Sequence, residues 1–285
     1  MATRRTLARE IAAEGTALHA GGTVHMTLSP ASAGVGIVFR RADLDNAMVP
    51  ARYDAVAETN LGTVIARDGV KIAVIEHLMS ALAGAGIDDL LVTVDAPELP
   101  ILDGDALSFF ELLERAGTQE QSGLKSAIKV TRPVEVAIRD ARVRLLPSEA
   151  PEYSYDLDYS NTKAIGRQSY ALRFTRESFA REIAPARTFG FLHELEALNK
   201  MGLGRGASLE NTLAIDGDIV VNRALMRFPD EFVRHKILDA IGDMALAGAP
   251  LIARFEGVKS GHGTNNALLR ALFADPANYV TIDLA

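Results

Sequence analysis

The chain passes twice through one order of elements, strand-like alternation first and helical periodicity after it, and this order limits the folds open to it. In the first half, residues 23–29 alternate through Val24, Met26 and Leu28, and 35–39 is a short apolar run. A helical pattern over 74–85 follows, then a strand over 90–94 and a helix over 106–116. In the second half, strands are expected over 128–138, 141–146 and 170–174. Helices are expected over 176–182 and 230–247, then a strand over 251–255 and a last helix over 265–273. Strands followed by helices, twice over, argue for an α+β protein. The polar stretch 116–125 (AGTQEQSGLK) is the expected boundary between a first domain, 1–120, and a second, 121–285.

The sequence contains no cysteine. Disulfides, thiolate metal sites, iron–sulfur clusters and a cysteine nucleophile are therefore excluded, and any metal must be held by imidazole and carboxylate. There are 37 acidic against 30 basic residues, a net charge of −7. Nucleic acid and anionic membranes are not expected partners of such a chain. The longest run free of Asp, Glu, Lys and Arg is 15–39. It holds His19, His25, Pro30 and several hydroxyl residues, so it reads as strands and turns rather than a membrane span. No apolar segment follows Arg4, Arg5 and Arg9, so a signal peptide is not expected and a cytoplasmic location is.

Three of the six histidines stand in suggestive company. In DEFVRHKILDAIGDMALAG, His235, Asp239 and Asp243 fall at i, i+4 and i+8 on one helix face, with Val233, Ile237, Ile241 and Met244 roughly opposite. Taken alone, that pattern reads as a solvated polar face. It also lets His235 and Asp239 converge on one metal ion, with Asp243 behind them. Glu76 and His77 interrupt the apolar VIEHLMSALAG, where the plain reading is a hydrogen-bonded core histidine beside a glutamate at the wet edge. The functional reading makes His77 a third ligand and Glu76 an adjacent base. His262 lies between glycines in KSGHG, either an exposed turn histidine or a proton donor to a leaving amine, with Asp243 holding its charged form. Together these residues supply three metal ligands, a base and an acid, the set that metal-assisted amide or ester hydrolysis requires.

Along nearly its whole length the chain resembles the UDP-3-O-acyl-N-acetylglucosamine deacetylases of lipid A biosynthesis. The resemblance runs through RRTLAREIAAEGTALHAGGTV, VIEHLMSALAGAGIDD, PELPILDGDA, ARTFGF, DEFVRHKILDAIGD and KSGHGTNN. It implies two similar α+β halves whose helices pack between two outer β-sheets, with the active site between the halves. It further implies Zn²⁺ on His77, His235 and Asp239, with Fe²⁺ as the alternative metal in the cell. Glu76 would be the general base, His262 the general acid oriented by Asp243, and Thr188 a hydrogen-bond donor to the developing oxyanion. Lys236 and Lys259 would meet the diphosphate, Asp158 and Tyr159 the uridine, and Phe189 the substrate beside Thr188. A β–α–β insert over 191–222 would enclose the acyl chain, lined or supported by Leu192, Leu195, Leu198, Leu203 and Leu209. The implied partner is a small nucleotide-sugar lipid met by a monomer without stable membrane insertion.

The chain departs from that pattern at Ala20 (usually Ser or Thr), Asp105 (usually Ser), Ala207 (commonly Gly) and Leu225 (usually Gly), and it stops at Ala285, earlier than many relatives. None of the four substitutions touches a ligand, base or acid position. Two other readings compete. A non-haem iron oxygenase also uses two histidines and a carboxylate, but leaves Glu76 and His262 without a task. A module that only binds the nucleotide-sugar lipid has no need of both proton carriers.

Overall fold

The structure, a computed structural model, describes residues 1–284. It is a mixed α+β fold built on two five-stranded sheets. The first runs in the order Ile11–Thr16, Thr23–Pro30, Leu90–Val94, Ile37–Arg41, Ala47–Pro50. The second runs Val134–Ile138, Ala141–Leu146, Arg254–Val258, Glu152–Tyr159, Gly166–Arg173. Both follow one pairing pattern: neighbours are antiparallel except for a single parallel pair, Ile37–Arg41 with Leu90–Val94 and Glu152–Tyr159 with Arg254–Val258. The alternation read from Val24, Met26 and Leu28 is physical, since all three side chains are buried on one face of their strand.

The described α-helices are α1 (Glu76–Ala85), α2 (Leu107–Ala116), α3 (Arg176–Ser178), α4 (Leu192–Lys200), α5 (Glu231–Ala245) and α6 (His262–Ala274). A π-helical turn, Phe179–Ile183, continues α3. None of the described helices is long and apolar enough to cross a membrane. In the interior, α1 packs on α5 and α2, while α5 lies against the strands Glu152–Tyr159 and Gly166–Arg173. The α1–α5 crossing is close because position 242 is glycine: a Cβ there would stand 2.1 Å from the Glu76 carbonyl oxygen. The insert is a β–α–β unit that begins two residues before the expected 191, with Phe189–Phe191 and Leu213–Asp216 paired in parallel around α4 and Ile219–Val220 added antiparallel.

Several sequence expectations are corrected. The polar stretch 116–125, read from sequence only as a boundary, contains a strand: Thr118–Leu124 pairs antiparallel with Thr3–Leu7, its polar side chains facing water from a two-stranded ribbon. The run 128–138 is two strands, Ser126–Val130 and Val134–Ile138, because Pro133 has no N–H for a ladder. Glu152–Tyr159 was not among the expected strands, although Tyr153, Tyr155 and Leu157 alternate into the core. The last helix begins at His262, three residues before its expected start, because the Thr264 hydroxyl accepts from the Gly261 N–H at 3.0 Å and closes the first turn. Finally, α5 has no solvated polar face. His235, Asp239 and Asp243 are buried, like the apolar residues opposite them.

The helix crossing yields a stability prediction. Gly242→Ala forces α1 and α5 apart and is expected to destabilise the protein by about 1–3 kcal/mol in urea unfolding. Gly22→Ala, where a Cβ would meet nothing within 4 Å, is expected to change stability by less than about 0.5 kcal/mol.

Candidate metal centre

Two helices supply the cluster. The first turn of α1 carries Glu76 and His77, and the middle of α5 carries His235, Asp239 and Asp243. At their crossing the candidate donor atoms of His77, His235 and Asp239 all lie within 4.8 Å of one another. His235 Nε2 is 3.3 Å and His77 Nε2 3.8 Å from Asp239 Oδ1. The imidazoles meet edge to face, their centroids 5.0 Å apart. His235 Nδ1–H donates to the Ala186 carbonyl at 3.1 Å, which leaves the Nε2 lone pair pointing at the cluster.

Electrostatics favour cation binding. Burial, reinforced by the neighbouring imidazole, pushes His77 down to about 3. Burial also lowers His235, against the pull of Asp239. Both rings are thus neutral and can offer lone pairs near neutral pH. Burial alone would raise the Asp239 carboxyl, but His235 and the Lys236 ammonium, 2.9 Å away, hold it well below the usual carboxylate range. Two neutral imidazoles and one carboxylate, with the fourth side facing a cavity, fit a divalent cation of borderline softness. His77 Nδ1 is buried without a hydrogen-bond partner.

Glu76 and His262 flank this cluster. The Glu76 carboxylate accepts from the Thr63 N–H at 3.0 Å and lies 3.6 Å from His262 Nε2. Burial, helped by Asp239 and Asp243 and opposed by His262, raises its carboxyl to about 7. The other nitrogen of His262 is 2.9 Å from Asp243 Oδ2. Burial would lower His262, yet the charges of Asp243, Glu76 and Asp239 outweigh it and raise the imidazolium to about 10. Asp243 is itself held by the Thr63 hydroxyl at 2.6 Å and the Asn265 amide at 2.8 Å.

A cavity of about 930 Å³ opens from the cluster. Thr188, Phe189, Lys236 and Tyr159 line it near the ligands, and Leu192, Leu195, Leu198 and Leu209 line it where it enters the insert. Thr188 is fixed by its backbone: its N–H donates to the Gly104 carbonyl at 2.8 Å and its carbonyl accepts from Leu213 at 2.9 Å. Gly104 sits at φ +77°, and a Cβ there would fall 1.7 Å from the Asn211 carbonyl oxygen.

Three residues expected to meet the substrate lie off the cavity wall. Lys259 and Asp158 form an ion pair at 3.4 Å, with Asp140 on the other side of the lysine. Leu203 closes the turn after α4, its N–H donating to the Leu198 carbonyl at 2.8 Å. Sequence reasoning missed Thr63, Asn265 and the Ala186 carbonyl. Asn265 stands within the quoted KSGHGTNN, whereas Thr63 lies in none of the motifs and a backbone oxygen leaves no residue-type signal.

A buried His–His–carboxylate cluster flanked by a second carboxylate and a second imidazole, at the head of an apolar cavity, defines a candidate single-metal hydrolytic centre. Residues 4–274 match the sequence signature of the UDP-3-O-acyl N-acetylglycosamine deacetylase (LpxC) family, and the chain belongs to it. It is 48% identical over 265 residues to the UDP-3-O-acyl-N-acetylglucosamine deacetylase of Phenylobacterium zucineum, covering 92% of this chain and 90% of that protein. It is 45% identical over 277 residues to the protein of the same name from Myxococcus xanthus, covering 97% of this chain and 88% of that one.

The geometry predicts one divalent cation per chain. Metal analysis after dialysis is expected to find it in the native protein and to find none in the doubly substituted His77→Ala, Asp239→Ala protein.

Proposed function

We propose that this chain is a zinc-dependent amidohydrolase of lipid A biosynthesis. It removes the N-acetyl group of UDP-3-O-(3-hydroxyacyl)-N-acetylglucosamine, releasing acetate and the free 2-amino sugar nucleotide, the committed step of that synthesis. The observation that carries the reading is the facing pair Glu76 and His262, 3.6 Å apart beside the His77–His235–Asp239 cluster. Membership of the deacetylase family supports the substrate. His77, His235 and Asp239 would hold the cation, Zn²⁺ or in the cell Fe²⁺. When bound it supplies Lewis-acid chemistry, acidifying a water and polarising a carbonyl.

The chain's own groups carry the protons. Glu76 takes a proton from the water as its oxygen bonds to the acetamide carbonyl carbon. The Thr188 hydroxyl donates to the oxyanion that develops on the former carbonyl oxygen. His262, held protonated by Asp243, delivers its proton to the sugar nitrogen as the C–N bond breaks, because an amide nitrogen leaves poorly unprotonated. Lys236, on the cavity wall, meets the diphosphate. Tyr159, with Phe189 6.0 Å away between ring centroids, gives the uridine an aromatic surface. Lys259 for the diphosphate and Asp158 for the uridine extend that end, although they pair with each other off the cavity wall. On this reading the substrate is a nucleotide-sugar lipid and the enzyme is a cytoplasmic monomer whose halves divide near residue 120.

The acyl chain supplies specificity. The acetamide and the diphosphate are shared with UDP-GlcNAc, so only the acyl chain marks the lipid precursor. At about 0.8 kcal/mol per buried CH₂, five methylenes among the insert's leucines are worth roughly 4 kcal/mol, near a thousandfold. Purified protein given UDP-3-O-acyl-GlcNAc is expected to release acetate, with a kcat/KM at least about a hundredfold above that for UDP-GlcNAc. Leu195→Asp is expected to shrink the ratio while leaving metal content intact. Absence of acetate release by the metal-loaded protein would overturn the proposal.

The activity is expected to be bell-shaped in pH. It requires ionised Glu76, so it falls as pH drops through a group that stands at about 7 without metal. It requires protonated His262, so it falls as pH rises through a group that stands at about 10. A cation in the cluster draws both limbs lower. Asp243→Asn removes the strongest charge favouring the His262 proton, so pH–kcat profiles are expected to show the alkaline limb moved to lower pH.

A further inference from the structure

A second buried charge cluster lies one helical turn from the metal ligands, and the proposed chemistry makes no use of it. Glu231 opens α5, four residues before His235, and is wholly inaccessible to solvent. Its Oε1 accepts from the Arg187 N–H and from Arg187 Nε, both at 3.0 Å. Its Oε2 accepts from the Arg227 N–H at 2.6 Å and from the Phe228 N–H at 3.4 Å. Another nitrogen of Arg187 donates to the Leu225 carbonyl.

Arg187 stands between two residues of the site. Ala186 offers the carbonyl that takes His235 Nδ1–H, and Thr188 lines the cavity. The segment 186–188 is therefore tied to α5 at two points a turn apart, through Arg187 to Glu231 and through Ala186 to His235. A third tie reaches the first half of the chain. The Arg227 guanidinium donates to the Asp105 carboxylate and to the Pro185 carbonyl. Asp105 also accepts from the Ser108 N–H at 3.0 Å at the start of α2. Its neighbour Gly104 offers the carbonyl that holds the Thr188 N–H.

A buried ion pair is poor evidence for stability, because well-packed apolar residues often serve as well or better. Its value here is geometric. We propose that Glu231, acting through Arg187, is a positioning residue that sets the Nδ1–H tautomer of His235 and the location of the Thr188 hydroxyl together. Neither Glu231 nor Arg187 touches the cavity. The carboxylate is required because all its donors are N–H groups, and a glutamine amide would turn an NH₂ towards one set of them. The Thr188 half of the inference rests on the hydrolytic reading; the His235 half needs only a metal ion.

The test compares Glu231→Gln, Arg187→Lys and Arg187→Gln with the native protein. Metal affinity by chelator competition and the His235 tautomer by imidazole ¹⁵N NMR of the metal-free protein are read first. The kcat and KM for UDP-3-O-acyl-GlcNAc follow. Glu231→Gln is expected to lower metal affinity and kcat by about 10- to 100-fold, to leave KM within about threefold, and to release His235 from the single tautomer. Arg187→Lys, which keeps the cation but not the planar fork, is expected to recover part of what Arg187→Gln loses. A folded Glu231→Gln protein with native tautomer, and with metal affinity and kcat within about twofold of native, overturns the proposal. If Glu231→Gln does not fold, Arg187→Lys decides by the same readings, and failure of both to fold makes the pair a folding element only, which also overturns it. A native protein that binds metal without releasing acetate sinks the hydrolytic reading, while affinity and tautomer still decide the role of Glu231.

Discussion

The contact on which the structure depends is the crossing of α1 and α5, where Gly242 lets one helix backbone approach the Glu76 carbonyl of the other. That approach places the first turn of α1 against the middle of α5, so Glu76 and His77 meet His235, Asp239 and Asp243 inside the protein. Burying five ionisable side chains costs free energy unless each is neutralised, paired or hydrogen-bonded. The surroundings meet that condition group by group. Asp239 has Lys236, Asp243 has His262, Thr63 and Asn265, Glu76 has the Thr63 N–H, and His235 has the Ala186 carbonyl. His77 keeps a buried Nδ1 without a partner.

The same burial divides the titratable groups into two behaviours. Histidines without a close, dedicated carboxylate lose their protons, as His77 does, and become metal donors. His262, joined to Asp243 and facing Glu76, keeps its proton. Glu76 gains proton affinity from burial and from neighbouring carboxylates. A base that readily accepts a proton and an acid that readily holds one therefore stand side by side, through environment rather than residue type. Exposed at a surface, the same residues would sit near their ordinary values, and water would screen their mutual charges.

The insert has a different logic. Leu192, Leu195 and Leu198 of α4 line the cavity together with Glu194, and no α4 residue is fully buried. Such a helix leaves apolar surface unfilled by its own protein, and the cavity between α4 and the metal cluster is the space that results. An apolar chain entering there would complete a core that the fold leaves open.

Much of this was legible in the sequence because it rests on local spacing. Alternation at Val24, Met26 and Leu28 determines a strand face. The i, i+4, i+8 spacing of His235, Asp239 and Asp243 places them on one side of a helix, and the residue types name the chemistry once the motifs are read together. Local spacing could not say whether that side faced water or the interior, since polar residues opposite an apolar stripe also describe a surface helix. That was decided by α1 packing against it, a contact between residues 76 and 242 that no window along the chain contains. The strand Thr118–Leu124 was hidden for a similar reason: its polar composition resembles a linker, and only pairing with Thr3–Leu7, over a hundred residues away, satisfies its backbone. The sequence by itself thus determined the α+β class and the inventory of donors, proton carriers and leucines, because these depend on residue type and near-neighbour period. Tertiary structure alone decided which of them are buried together, and with that their charge states, because burial and charge proximity are properties of groups brought together from distant parts of the chain.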